Sequence, residues 1–178
     1  CFPKDISALK SMFRGSKTKS SLLDAVHAVN ENQKLYLVDK ILKHFKNNIK
    51  NKTIAVWGLT FKPKTDDTRF APSIDMIEKL ISKGAIVQAY DPIGSLKHIF
   101  KRNYKEYNSA INALKNSSAL LICTEWKEFW SIDINNFNKY MKESCVFDGR
   151  NIYSPPKLAA YGIKYYGVGR GNDHKDKP

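Results

Sequence analysis

Two short stretches of the 178-residue sequence carry side chains suited to a phosphorylated ligand, and one cysteine could act as a nucleophile. The first is Gly58-Leu59-Thr60-Phe61-Lys62-Pro63-Lys64-Thr65-Asp66-Asp67-Thr68-Arg69. An aromatic face can flank a base or sugar, and clustered cations can hold a pyrophosphate. A solvated loop shows the same composition, so this stretch alone leaves both readings open. The second is Asp148-Gly149-Arg150-Asn151, in which Gly permits a tight turn and Arg can grip phosphate in bidentate fashion. Taken singly, it is also an ordinary turn. Cys1 stands just before Pro3 and Asp5, residues suited to a first helical turn, where the helix dipole favours a thiolate. The alternative is a free thiol without chemistry. His27, His44, His98 and His174 show no metal-ligand spacing, so no metal site is expected. Asp91 ends an apolar run, a place where dinucleotide-binding folds put a ribose ligand, but Pro92 favours a turn-forming role. Thr124-Glu125-Trp126 could line a pocket, while the helical spacing of Trp126 and Trp130 suits packing. Cys123 and Cys145 lie in apolar runs and read as inert.

The elements that must position these residues follow from periodicity. Ile6, Leu9 and Phe13 predict a short helix stopped at Gly15. Ser21 and Asp24 read as a capping box for a long helix over 20–47, striped by Leu22, Val26, Val29, Gln33, Tyr36, Leu37, Ile41 and Phe45. Asn30 and Gln33 in that stripe suggest hydrogen bonds across a helix–helix contact, and part of the stripe is expected in an interface. Strands are predicted at 53–59, 86–90, 119–123, 145–148 and 164–166, with helices at 73–83, 109–115, 135–142 and 155–161. Residues 93–108 are ambiguous and could hold an additional helix and strand. The alternation predicts an α/β fold, a Rossmann-like parallel sheet of five or six strands with helices on both faces. The first strand lacks the G-x-G-x-x-G fingerprint of a dinucleotide site. The expected organisation is 1–19 nucleophile segment, 20–51 long helix, 52–167 sheet domain and 168–178 mobile tail.

Composition sets the outer limits. At 42% hydrophobic residues the chain can bury a core, which excludes wholesale disorder. No apolar run reaches the roughly 20 residues that span a bilayer, so no membrane partner is expected. The net charge of +13 invites a nucleic-acid reading. Yet 25 of the 30 basic residues are Lys, and their scatter suits solvated helix faces better than base-reading. Three cysteines argue against a disulfide scaffold and fit a reducing, cytoplasmic compartment. The chain opens without Met and is read as a piece of something longer.

Read together, the segments resemble the C-terminal half of the UDP-glucose/GDP-mannose dehydrogenase family over nearly the whole chain. The carriers are Cys1-Phe2-Pro3-Lys4-Asp5, Val29-Asn30-x-x-Gln33-Lys34, Gly58 through Arg69, Ala71-Pro72-Ser73, Tyr90-Asp91-Pro92 and Phe147-Asp148-Gly149-Arg150-Asn151. The opening, the Cys123-Thr124-Glu125-Trp126 stretch and the closing Tyr165-Tyr166-Gly167-Val168-Gly169-Arg170 look most like members acting on UDP-glucose. UDP-N-acetylmannosamine and GDP-mannose are the substrates to exclude. The resemblance implies oxidation of UDP-glucose to UDP-glucuronate with two NAD+, through a cysteine thiohemiacetal and thioester. It implies Cys1 as nucleophile, with Asp5 orienting water or supporting the base. Cys1, Phe2, Pro3, Lys4 and Arg69 would lie beside NAD, and Phe61, Lys62 and Arg150 would hold the UDP-sugar. It further implies a homodimer through the long helix. The family's NAD-binding domain and central catalytic residues are not in these residues, so the chain alone is expected to be inactive.

Overall fold

The computed structural model describes residues 2–15 and 20–170, and the chain divides between Tyr36 and Leu37 into two compact units. The first unit holds α1 (Phe2–Gly15) and the opening of α2 (Ser21–His44). Pro3 stands where its missing N–H costs nothing, and Asp5 lies in the first turn. Lys10 pairs with Asp24 at 2.8 Å, joining the two helices. The capping residue of α2 is Ser20, one place before the predicted Ser21: the Asp24 N–H donates to the Ser20 carbonyl at 2.9 Å, the first bond of the helix. The Asn30 amide donates to neighbouring Glu31 at 3.3 Å within its own helix. Leu22 and Val29 are 76% and 68% exposed, so the predicted stripe is uncovered here.

In the second unit the stripe becomes core. Leu37, Val38, Ile41 and Leu42 are buried, and α2 stops at His44 rather than 47 because Lys46 and Asn47 take positive φ. Six parallel strands follow: β1 (Thr53–Trp57), β2 (Ile86–Tyr90), β3 (Tyr104–Glu106), β4 (Ala119–Ile122), β5 (Cys145–Asp148) and β6 (Lys164–Gly167), ordered β3-β2-β1-β4-β5-β6. The helices between them are α3 (Pro72–Ser82), α4 (Ala110–Leu114), α5 (Lys127–Trp130), α6 (Asn135–Tyr140) and α7 (Pro155–Ala160). Alternate strand residues feed opposite cores. Ile54, Val56, Val87, Leu121 and Phe147 pack with the C-terminal half of α2 and with α3. Ala55, Trp57, Leu120, Ile122 and Val146 pack with side chains of α4, α5, α6 and α7. Both faces are thus covered, as a parallel sheet requires. The Rossmann-like reading holds.

Four local readings are corrected or settled. β1 ends at Trp57, not 59, because Gly58 turns out of the strand at φ +86°. The ambiguous segment holds β3 and no α-helix; its bends are tied by the Glu106 carboxylate, which accepts from Ser95 Oγ, Leu96 N–H and Tyr104 Oη at 2.9, 2.6 and 2.7 Å. Trp126 is buried but Trp130 is 59% exposed, since Trp126 precedes α5 as its cap and the helical spacing does not apply. Residues 168–170 are tied down: the Asn151 amide donates to the Val168 carbonyl at 2.9 Å and accepts its N–H at 3.1 Å. The remainder of the expected mobile tail lies outside the described residues.

Candidate functional site

Because all six strands are parallel, their C-terminal ends meet along one rim, where open α/β sheets bind ligands. Both stretches singled out in the sequence open onto it. Phe61 and Lys62 come from the loop after β1, and Arg150 from the turn after β5. One strand, β4, separates their parent strands, which therefore run about 10 Å apart at roughly 4.8 Å per strand.

A relay of hydrogen bonds fixes the two loops to one frame. The Thr60 hydroxyl donates to the Lys62 carbonyl at 3.0 Å, and the Thr60 carbonyl accepts from the Thr124 hydroxyl at 2.7 Å. One residue before Thr124, the Cys123 carbonyl accepts from Arg150 Nε at 2.8 Å. Close approach is enforced by Gly58, where a Cβ would meet the Thr124 Cβ at 2.5 Å. Asp148 forms the β5 turn, accepting from the Arg150 and Tyr153 N–H groups at 2.9 and 3.1 Å. The loop after β1 closes on itself through Phe61 N–H to the Asp67 carbonyl, 3.1 Å, and Ser73 Oγ clasps the Leu59 carbonyl at 2.7 Å.

The cations face outward from this frame. Phe61 is 41% exposed, and the Lys62 ammonium stands 5.4 Å from its ring centroid. Among the described residues no carboxylate pairs with Lys62. Arg150 Nε lies 3.0 Å from Glu125 Oε2. That Nε has one N–H and it goes to Cys123, so Glu125 Oε2 is buried beside the guanidinium with charge contact but no hydrogen bond. Anchoring Arg150 through Nε leaves its terminal nitrogens for an anion. An open cleft of about 550 Å³ runs beside the Arg150 turn, lined by Asn151 through Pro155 and Arg170; neither Lys62 nor Arg150 lines it.

Arg69 leaves the same loop but is bound to a neighbour. Its Nε and a terminal nitrogen donate to the Asp67 carboxylate at 3.0 and 2.9 Å. Those bonds, with the Arg69 N–H, hold the Asp67 carboxyl down at about 2. Lys4 and Asp5 are exposed on the first turn of α1, Pro3 is half-buried there, and Cys1 lies outside the described residues. Burial pushes the Cys123 thiol up to about 12 and raises Cys145 as well, so neither is a nucleophile. Among the described residues no group of three His, Cys, Asp or Glu could hold a metal, and no helix is long and apolar enough to cross a membrane.

Sequence reasoning missed the frame itself. Thr60, Thr124 and Ser73 are small hydroxyl residues at element ends, a weak signal, and the sequence weighs Asp91 between ribose ligand and turn former, not as a tie between loops. It does form the turn, accepting from the Ile93 and Gly94 N–H groups at 2.9 and 2.7 Å. Its second oxygen, however, also takes the Leu59 N–H at 2.7 Å and Trp126 Nε1 at 3.2 Å.

The chain is similar to known enzymes along its length. Residues 55–155 match the model described as UDP-glucose/GDP-mannose dehydrogenase family, UDP binding domain. The chain is 39% identical over 95% of its length to UDP-glucose 6-dehydrogenase of Rickettsia bellii (strain RML369-C), covering 40% of that enzyme. It is 38% identical over 96% of its length to UDP-glucose 6-dehydrogenase YwqF of Bacillus subtilis (strain 168), covering 39% of it. Among solved structures, a UDP-glucose dehydrogenase from Pyrobaculum islandicum matches 96% of the chain and 37% of its own, with a TM-score of 0.79 at 26% identity. The chain thus spans about 40% of the length of the curated relatives it matches. On the strength of a match that runs from β1 to the start of α7, this chain belongs to the UDP-glucose/GDP-mannose dehydrogenase family, and its sheet is that family's UDP-binding domain.

Proposed function

We propose that this chain grips UDP-glucose for an enzyme that oxidises the sugar to UDP-glucuronate. The observation that carries the reading is the shared frame of Lys62 and Arg150, two outward cations fixed to one rim through Thr60, Thr124 and Cys123. Lys62 and Arg150 neutralise the diphosphate, and Phe61 lies against the base or sugar. The names of the two bacterial relatives support glucose as the sugar.

The described residues do not fit a complete nicotinamide dinucleotide site. The loop after β1 lacks the glycines that let a pyrophosphate approach the backbone, and Asp91, at the ribose-reading place, is occupied by backbone and indole N–H groups. We therefore place the main grip on NAD elsewhere in a longer enzyme, with Phe2, Pro3, Lys4 and Arg69 bordering it. In that enzyme Cys1 is the thiol that captures the C6 aldehyde, and Asp5 the carboxylate beside the water that releases the acid. The buried free thiols of Cys123 and Cys145 support a reducing, cytoplasmic setting.

Titration calorimetry tests the grip. UDP and UDP-glucose bind the chain, and Lys62→Ala and Arg150→Ala each weaken binding about tenfold, the loss of one charge-assisted contact. The same sample produces no NADH from UDP-glucose. Absence of heat with millimolar UDP on folded protein, or unchanged affinity in both variants, contradicts the reading.

A further inference from the structure

We propose that Asp91 is a positioning residue for the nucleotide-sugar grip: its carboxylate locks the backbone that presents Phe61 and Lys62. The inference rests on the reading of the rim as a UDP site and adds the group that sets its geometry. Asp91 Oδ2 accepts from the Leu59 N–H at 2.7 Å, the Thr60 N–H at 3.3 Å and Trp126 Nε1 at 3.2 Å. The Thr60 hydroxyl also lies 3.2 Å away, shared with the Lys62 carbonyl. Asp91 Oδ1 accepts the Ile93 and Gly94 N–H groups at 2.9 and 2.7 Å. One side chain therefore joins the exits of β1, β2 and β4, and the residues it holds are immobilised: Leu59 is fully buried, Thr60 and Trp126 nearly so.

Direction matters here. Leu59 and Thr60 both aim N–H groups at one anion, a small nest that only a negatively charged or strongly accepting group satisfies. Phe61 and Lys62 follow at once in sequence, so the plane of that nest sets where the ring and the ammonium emerge. Gly94 closes the arrangement, since a Cβ there would stand 2.4 Å from Thr60 Cγ2. An amide in place of the carboxylate keeps the size but offers a single acceptor oxygen, and its NH2 would face N–H donors.

The test is Asp91→Asn in the full chain, with Glu106→Gln as a matched control. Glu106 is likewise a multiply bonded carboxylate, but it bonds Ser95, Leu96 and Tyr104 and no residue of the loop after β1. Both variants are expected to lower the thermal midpoint. Only Asp91→Asn is expected to weaken UDP binding by calorimetry, about tenfold, to speed amide exchange at Leu59 and Thr60, and to shift the Trp126 indole N–H resonance. Wild-type binding with an affinity unchanged in Asp91→Asn, or an equal loss in Glu106→Gln, overturns the inference alone. A wild-type chain that binds no UDP overturns the functional reading and Asp91's share in it together.

Discussion

Single residues at strand ends decide the geometry of this rim. Gly58 is the sharpest case: φ is +86°, and a Cβ would stand 2.5 Å from one side-chain carbon of Thr124 and 2.7 Å from its backbone nitrogen. Gly58→Ala is therefore expected to cost about 2 kcal/mol or more in urea unfolding, combining left-handed strain with overpacking. Gly162→Ala, at φ +72° with nothing within 4 Å, should cost only about 1 kcal/mol, from strain alone. Equal losses would show that close approach to Thr124 is not what Gly58 provides. That Phe61, Lys62 and Arg150 sit on loops at one rim was legible in the sequence, because the strands that end before them were. Thr60, Thr124 and Glu125 stand in stretches the sequence also singles out, but their parts in the frame were not legible, since a hydroxyl or carboxylate acquires its role only when another strand's exit lies beside it. Asn151 is similar: its amide pairs both ways with Val168 across the sheet, which no local pattern announces.

At the scale of elements, α2 shows what periodicity reads and what it cannot. Its apolar spacing gives a helix correctly, yet the half from Leu37 is core while Leu22 and Val29 are exposed. Spacing identifies a face but says nothing about what covers it. Five of the six strands were legible because β-branched and apolar runs between turn residues leave few alternatives, whereas β3, polar and three residues long, was not. Their ends were not, as β1 shows, because a Gly leaves a strand through its own φ. The end of α2 also carries a titratable contact. His44 meets Tyr166 Oη through Nδ1 at 2.9 Å and lies edge-on to Phe147. Burial, then the Lys164 charge, lowers its pKa; Lys52 adds to this and Glu143 opposes it. A folded pKa below the unfolded 6.5 means the stabilisation is complete above pH 6.5 and is lost as pH falls through the folded value. The urea midpoint of the wild type should therefore fall more between pH 7 and 5 than that of His44→Gln. Parallel curves for the two proteins would remove His44 from the account.

For the molecule as a whole, the exposed apolar residues of the first unit matter most. Leu22, Val29 and Met12 are 76%, 68% and 71% exposed, while the core of the second unit is closed on both faces of the sheet. We propose that α2 pairs with α2 of a second copy. Leu22→Asp with Val29→Asp should then convert a dimer to a monomer by light scattering without lowering the thermal midpoint of the sheet unit. Ile41→Ala, fully buried, should instead cost about 2–5 kcal/mol and leave the mass unchanged. A wild-type chain already monomeric at high concentration would end the proposal. The architecture resembles a dinucleotide-binding sheet closely enough to invite redesign, and Asp91 sets a limit on it. Grafting a glycine-rich fingerprint after β1 would supply the backbone for a cofactor's phosphates. The lone pairs that should choose between NAD and NADP would still be taken up as a rivet between three loops. Freeing that carboxylate to select a cofactor would unfasten the loops it joins, so installing a cofactor site on this scaffold has to begin at the end of β2 rather than at β1.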